Sequence, residues 1–207
     1  PPSLSKPLKN ARDSKSPISR IYRVAMKFKV IPQRIPDVLL IEPTVFSDDR
    51  GYFKESYNLN DFEEFLPEIT FVQDNESKST RGVLRGLHFQ RAPHAQAKLV
   101  RVVHGSIWDV AVDIRPDSPT FKQWVSAELT AENHSQFFVP RGFAHAFIVT
   151  SEQAIVQYKT DNFYKTSADG GIHPQDPDLN IPWPLPKEEQ ILSSKDMALP
   201  FLKDLSQ

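Results

Sequence analysis

From Phe71 to Thr160 the chain is cut into short β-branched and aromatic runs by turn signals, a rhythm that leaves no room for a long helix. The runs at 71–74, 82–89, 98–103, 106–115, 124–129, 137–139, 144–150 and 154–160 predict strands. Between them stand His104-Gly105, Arg115-Pro116-Asp117-Ser118-Pro119 and Ala131-Glu132-Asn133-His134, all rich in turn formers. From Trp108 to Ile114, apolar Trp108, Val110, Val112 and Ile114 alternate with Asp109, Ala111 and Asp113. That period of two gives the strand one apolar face and one face carrying carboxylates. Eight or so short antiparallel strands with a few short helices predict an all-β jelly-roll barrel, whose interior can hold a ligand.

Upstream, the apolar run at 38–46 contains Pro43 and predicts an edge strand bending there, and Asp48-Asp49-Arg50-Gly51 predicts a turn. Asn60-Asp61-Phe62-Glu63 has the form of a capping box before a helix of about two turns, stopped by Pro67. A chain of 207 residues, 39% of them hydrophobic, suffices for one globular core, and one jelly-roll domain is expected over 26–207. Residues 1–25 carry Lys6, Lys9, Arg12, Lys15, Arg20 and Arg23 against Asp13 alone. Their basic, Ser- and Pro-rich composition is shared by transit peptides and by disordered or appended extensions; the latter is the expectation, with Met26 opening the fold.

A formal net charge of −1 argues against a nucleic-acid or membrane surface, and no apolar run is long enough to span a bilayer. The absence of Cys excludes disulfides, thiolate catalysis and Cys-ligated zinc, and fits a cytoplasmic protein.

The chemistry-bearing residues concentrate between Arg81 and Leu99: His88 as a base, Lys98 as a cation and Arg85 among the guanidinium groups suited to phosphate. Arg85 and His88 are three apart and would point to opposite faces of a regular strand, so a bulge or a twist is needed before both reach one cavity, and Gly86 allows a bulge. Downstream, Pro140-Arg141-Gly142-Phe143-Ala144-His145 matches the second half of the cupin pattern, where a barrel histidine often binds metal. The first half supplies His-x-His in metal cupins but reads His88-Phe89-Gln90 here, so no metal site is expected.

The segments FSDDRGYFKESY, FVQDN, GVLRGLHFQ, AQAKLVRV, GSIWDVAVDIR, VPRGFAHAF, YKTDNFY, DPDLNIPWP and LSSKD, in order from about Met26 to Asp196, closely resemble the dTDP-4-dehydrorhamnose 3,5-epimerase family of deoxysugar biosynthesis. The resemblance implies a cupin-like jelly roll, a homodimer and no metal or organic cofactor. It further implies epimerisation at C3 and C5 of dTDP-4-dehydro-6-deoxy-D-glucose. Inverting a carbon beside a ketone needs a base, an opposed acid and a cation at the enolate oxygen. On the family's pattern His88 is the base, Asp196 its carboxylate partner, Lys98 the cation facing the C4 oxygen and Tyr158 the proton donor across the ring.

Arg50, Arg85 and Lys195 match phosphate and nucleotide contacts, Glu55, Gln73, Asn75 and Asp169 further binding positions, His145 a contact near the sugar, and Tyr164 the ring that stacks on thymine. Without the family, Asp196 reads as an exposed loop carboxylate. Asp169 stands where the family more often has Glu, and His173-Pro174-Gln175-Asp176-Pro177 replaces its Trp-Asn-Asp-Pro. Alternatives are a mono-epimerase or ketoisomerase acting on a related dTDP-4-ketosugar, or a sugar-binding jelly roll without chemistry. The last has no need of an opposed acid and base.

Overall fold

A computed structural model describes residues 27–205, and the extension expected over 1–25 lies outside them. The strands in chain order are β1 (Phe28–Pro32), β2 (Leu39–Pro43), β3 (Phe46–Asp48), β4 (Gly51–Phe53), β5 (Gln73–Thr80), β6 (Leu84–Gln90) and β7 (Lys98–His104). They continue as β8 (Ser106–Asp113), β9 (Trp124–Thr130), β10 (Gln136–Val139), β11 (Phe143–Val149), β12 (Gln153–Thr160) and β13 (Asp169–Gly171). Two α-helices occur among the described residues, α1 (Leu59–Glu63) and α2 (Ser194–Met197).

A six-stranded sheet of order β1-β2-β10-β7-β12-β5 faces a five-stranded sheet of order β13-β6-β11-β8-β9, and β3 and β4 form a separate hairpin. Chain-adjacent strands β5, β6, β7 and β8 alternate between the two sheets, which is the jelly-roll arrangement.

Apolar side chains from both sheets meet between them, among them Val100, Ile107, Ala111, Phe137, Phe147 and Val156, all buried. The outer face of the five-stranded sheet is also covered. Leu87, Val110 and Ala144 pack there against Ile172, Leu179, Ile181 and Leu202 of the C-terminal segment. For this reason both faces of Trp108–Ile114 are enclosed, and the Asp109 and Asp113 carboxylates point into protein. Asp113 is satisfied structurally, by Arg115, Ser118 and Thr120 in the turn that follows.

Three expectations are corrected. The strand at Pro43 is not an edge, because β2 is paired on both sides, to β1 and to β10; Pro43 sits at its last position. The cap of α1 is Asn58, whose side chain accepts from the Asn60 N–H, and the helix is a little over one turn long. Phe62 anchors it, packing edge-on to Phe28 at 5.0 Å. The strand expected at 71–74 starts instead at Gln73 and runs to Thr80 through a wholly polar sequence. Its alternate residues Gln73, Asn75, Ser77 and Ser79 turn inward while Asp74, Glu76 and Lys78 face solvent.

Candidate active site

Of the bulge or twist that the Arg85–His88 spacing calls for, β6 has the bulge. His88 lies opposite His145 on β11, whereas Arg85 lies opposite Phe147, so β6 uses one residue more than its partner. Gly86 takes the extra position with φ +120°, and a Cβ there would stand 2.5 Å from both the Ala146 Cβ and the His145 carbonyl oxygen. Arg85 consequently turns toward the facing sheet, where its Nε donates to Ser79 Oγ on β5 at 3.0 Å. His88 turns the same way, into a cavity of about 190 Å³ that it shares with Lys98 and Tyr158.

Asp196 is buried on α2 rather than exposed in a loop, and its Oδ1 is 2.6 Å from His88 Nε2. Ser193, the N-cap of α2, holds the other carboxylate oxygen at 2.9 Å while accepting from the Asp196 N–H. Burial pushes the Asp196 carboxyl up, but the hydrogen bond and charge of His88, with Ser193 and Lys195, outweigh it and hold the group below its usual value. An ionised carboxylate only accepts, so His88 Nε2 carries the proton and Nδ1 is the nitrogen free to take one.

Lys98 on β7 and Tyr158 on β12 belong to the sheet opposite His88, and the Lys98 Nζ lies 5.9 Å from the Tyr158 ring. Burial pushes Lys98 down to about 8, opposed by the charges of Asp109 and Asp169. Burial pushes Tyr158 up despite Arg85, so its phenol keeps its proton, as a donor must.

His145 Nε2 and Asp109 Oδ1 share a hydrogen bond of 2.8 Å, both side chains being almost wholly enclosed; burial moves the histidine down and the aspartate up. The second oxygen of Asp109 is buried without a partner. Sequence reasoning gave Asp109 no role, although a carboxylate inside the alternation at 108–114 was the available signal. Ser193 and Gln90 were likewise left without one.

The remaining candidates divide. Gln73, Asn75, Tyr164, Asp169 and Lys195 all line the His88 cavity, with Lys195 bridged to Asp169 at 2.5 Å. Arg50, Glu55, Arg85 and His145 do not line it. Arg50 is at the β3–β4 turn, held by Asp48 at 2.5 Å, and Glu55 is tied to Lys27 and Asn58. A larger groove of about 350 Å³ runs over the outer face of the six-stranded sheet beside Tyr57, Arg101 and Gln157. It brings no histidine to its lining, and hence no base to oppose Tyr158.

Among the described residues no three His, Cys, Asp or Glu side chains are grouped to hold a metal, and no helix is long and apolar enough to cross a membrane. At the position of a metal cupin's second histidine, Gln90 spends its whole amide on backbone groups.

Comparison with known proteins identifies the family. A family model described as dTDP-4-dehydrorhamnose 3,5-epimerase matches residues 32–204. The curated enzyme of that name from Salmonella typhimurium is 53% identical over 174 residues, covering 84% of this chain and 94% of the relative. The crystal structure of the Elizabethkingia anophelis enzyme superposes with a TM-score of 0.83 at 52% identity, over 86% of this chain and 98% of that one. An epimerase of Legionella pneumophila, solved in complex with dTDP-4-keto-L-rhamnose, superposes with a TM-score of 0.83 at 45% identity, over 86% and 95% of the two chains. With the family model matching residues 32–204 and relatives about half identical over most of their length, this chain belongs to the dTDP-4-dehydrorhamnose 3,5-epimerase family.

Proposed function

We infer that this chain epimerises C3 and C5 of dTDP-4-dehydro-6-deoxy-D-glucose to give dTDP-4-dehydro-L-rhamnose, with His88 as base and Tyr158 as acid. The observation that carries the assignment is the pairing of His88 with Asp196 at 2.6 Å on one wall of a cavity whose other wall bears Tyr158 and Lys98. His88 Nδ1 removes the proton beside the C4 ketone, and the Asp196 carboxylate stabilises the imidazolium that forms. Negative charge passes to the C4 oxygen, where the Lys98 ammonium binds the enolate more strongly than the ketone and so lowers the barrier. Tyr158 returns a proton from the opposite side.

His145, oriented by Asp109, contacts the sugar; Arg85 and Lys195 meet the diphosphate; Gln73, Asn75 and Asp169 bind the nucleotide sugar and Tyr164 stacks on thymine. Every step uses protein side chains alone. The catalytic unit is one jelly roll over 26–207, it works as a homodimer, and its lack of Cys suits the cytoplasm.

Proton NMR of the dTDP-4-keto-6-deoxy sugar incubated with the protein in deuterated water tests the assignment. Exchange and inversion at both C3 and C5 are expected. Inversion at one carbon would make the chain a mono-epimerase, migration of the ketone an isomerase, and no exchange at either carbon would leave only a sugar-binding jelly roll.

A further inference from the structure

The segment 162–165 belongs to no strand or helix, yet side chains from three places hold its backbone. Gln96 donates to the Asn162 carbonyl at 2.7 Å, and Gln73 on β5 accepts from the Tyr164 N–H at 3.2 Å. Gln90, at the end of β6, does the most. Its Nε2 donates to the Phe163 carbonyl at 3.3 Å and to the His94 carbonyl at 2.9 Å, and its Oε1 accepts from the Lys165 N–H at 2.6 Å. The amide has one acceptor group and two donor hydrogens, and all are engaged. Gln90 is buried, whereas the Tyr164 ring that its contacts flank is 52% exposed at the cavity mouth. A ring that exposed takes its position from its backbone, and that backbone is fixed by Gln90 on one side and Gln73 on the other.

We propose that Gln90 is a positioning residue that presents the Tyr164 ring as a preformed stacking platform for the nucleobase, so that it governs nucleotide affinity rather than the proton transfers. The proposal rests on the reading of Tyr164 as the thymine contact. Its physical content is preorganisation. A loop already held in the bound conformation loses little freedom when the base arrives, and a loop released from its clamp must be ordered by the ligand. Gln90 occupies the cupin ligand position, and here the same inward direction has been turned to tying two loops together.

The test is a double-mutant cycle between Gln90→Met, which keeps the length and apolar stem but no hydrogen bond, and Tyr164→Leu. Calorimetric titration with dTDP gives affinity, and turnover of the dTDP-4-keto-6-deoxy sugar gives kcat and KM. Gln90→Met should raise the dTDP Kd and the substrate KM about tenfold, with a much smaller change in kcat. In the Tyr164→Leu background the same change should have almost no effect, because the platform it positions is gone. Independent, multiplying effects of the two substitutions, or a fall in kcat as large as the rise in KM, would overturn the proposal.

Gln90→Glu supplies a second reading should Gln90→Met not fold. Its carboxylate still accepts from Lys165 but cannot donate to His94 or Phe163. Relative to the unchanged protein at the same pH, dTDP should bind weakly at pH 8 and recover as protonation restores a donor. Affinity equal to that of the unchanged protein at both ends of the range would be decisive against the clamp. A chain that binds no thymidine nucleotide at all would instead remove the reading of the site, and the clamp with it.

Discussion

On the proposed mechanism Lys98 carries the charge that the enolate requires, and its surroundings set the pH above which that charge is lost. Burial pushes the ammonium down to about 8 from an ordinary 10.5, against the pull of Asp109 and Asp169. Below about 8 the group is protonated and, on that mechanism, meets the C4 oxygen as a cation. As pH rises through about 8 the cation disappears, so kcat/KM should fall about tenfold per pH unit. Stability moves the other way. Between the folded value near 8 and the unfolded value near 10.5, the unfolded chain binds more protons at this site, so raising the pH through that window favours the folded state. Activity that declines while Lys98's contribution to stability grows separates this titration from alkaline unfolding. Tyr158, pushed upward by burial, does not ionise in the same range. Lys98→Arg keeps a charge at any working pH and should abolish the alkaline limb, although the longer fork lowers the rate. A limb near 8 that survives in Lys98→Arg, or a profile flat to pH 10 in the unchanged protein, would assign the charge elsewhere.

At the scale of elements, the bulge in β6 decides whether Arg85 and His88 both turn toward the facing sheet. The position of Gly86 is closed to any side chain by two contacts at 2.5 Å and by its φ of +120°. Gly86→Ala must push β6 from β11 or realign it, and either rotates His88 away from Asp196. A loss of turnover of at least about a hundredfold is expected, because a general base out of reach forfeits most of its effect. Wild-type turnover in Gly86→Ala would show that the bulge does not place the base. An irregularity here, a bulge or a twist, was legible in advance, since a side-chain period of two forbids residues three apart from sharing a face. The apolar strands were legible for the same reason. β5 was not, because its inner face is polar: Gln73 and Asn75 line the His88 cavity, and with Ser77 and Ser79 they give no hydrophobic alternation. The interior position of β2 depends on β1 and β10 flanking it, which is a tertiary fact that Pro43 at the strand end does not contradict. Asp196 gave no local sign of burial either. It is enclosed because α2 docks on β6, a contact between residues 108 apart in the chain. Family resemblance supplied what periodicity could not.

For the whole molecule, the β3–β4 hairpin is the part that one chain leaves unexplained. Each of its strands has three residues, it joins neither large sheet, and Phe46, Tyr52 and Phe53 are 60%, 60% and 66% exposed. A two-stranded hairpin is marginally stable in water by itself, and three neighbouring exposed aromatic rings call for a covering surface. The same hairpin carries Arg50, assigned to the nucleotide yet absent from the His88 cavity of its own chain. Both facts are met if the hairpin covers part of a second copy and delivers Arg50 to the site there. Complementation gives a direct measurement. A chain with His88→Ala retains its hairpin, and a chain with Arg50→Ala retains its base; each alone should turn over poorly. In a two-fold dimer of one of each, the cavity of the Arg50→Ala chain receives the intact hairpin, so one site of two is whole. Purified through two different tags, this heterodimer should show about half the unchanged dimer's turnover. If Arg50 served its own chain, the heterodimer would contain one site without a base and one without its arginine. Activity no higher than the two homodimers, or a protein that sediments as a monomer at assay concentrations, would therefore return Arg50 to its own chain and leave the aromatic hairpin without a partner copy.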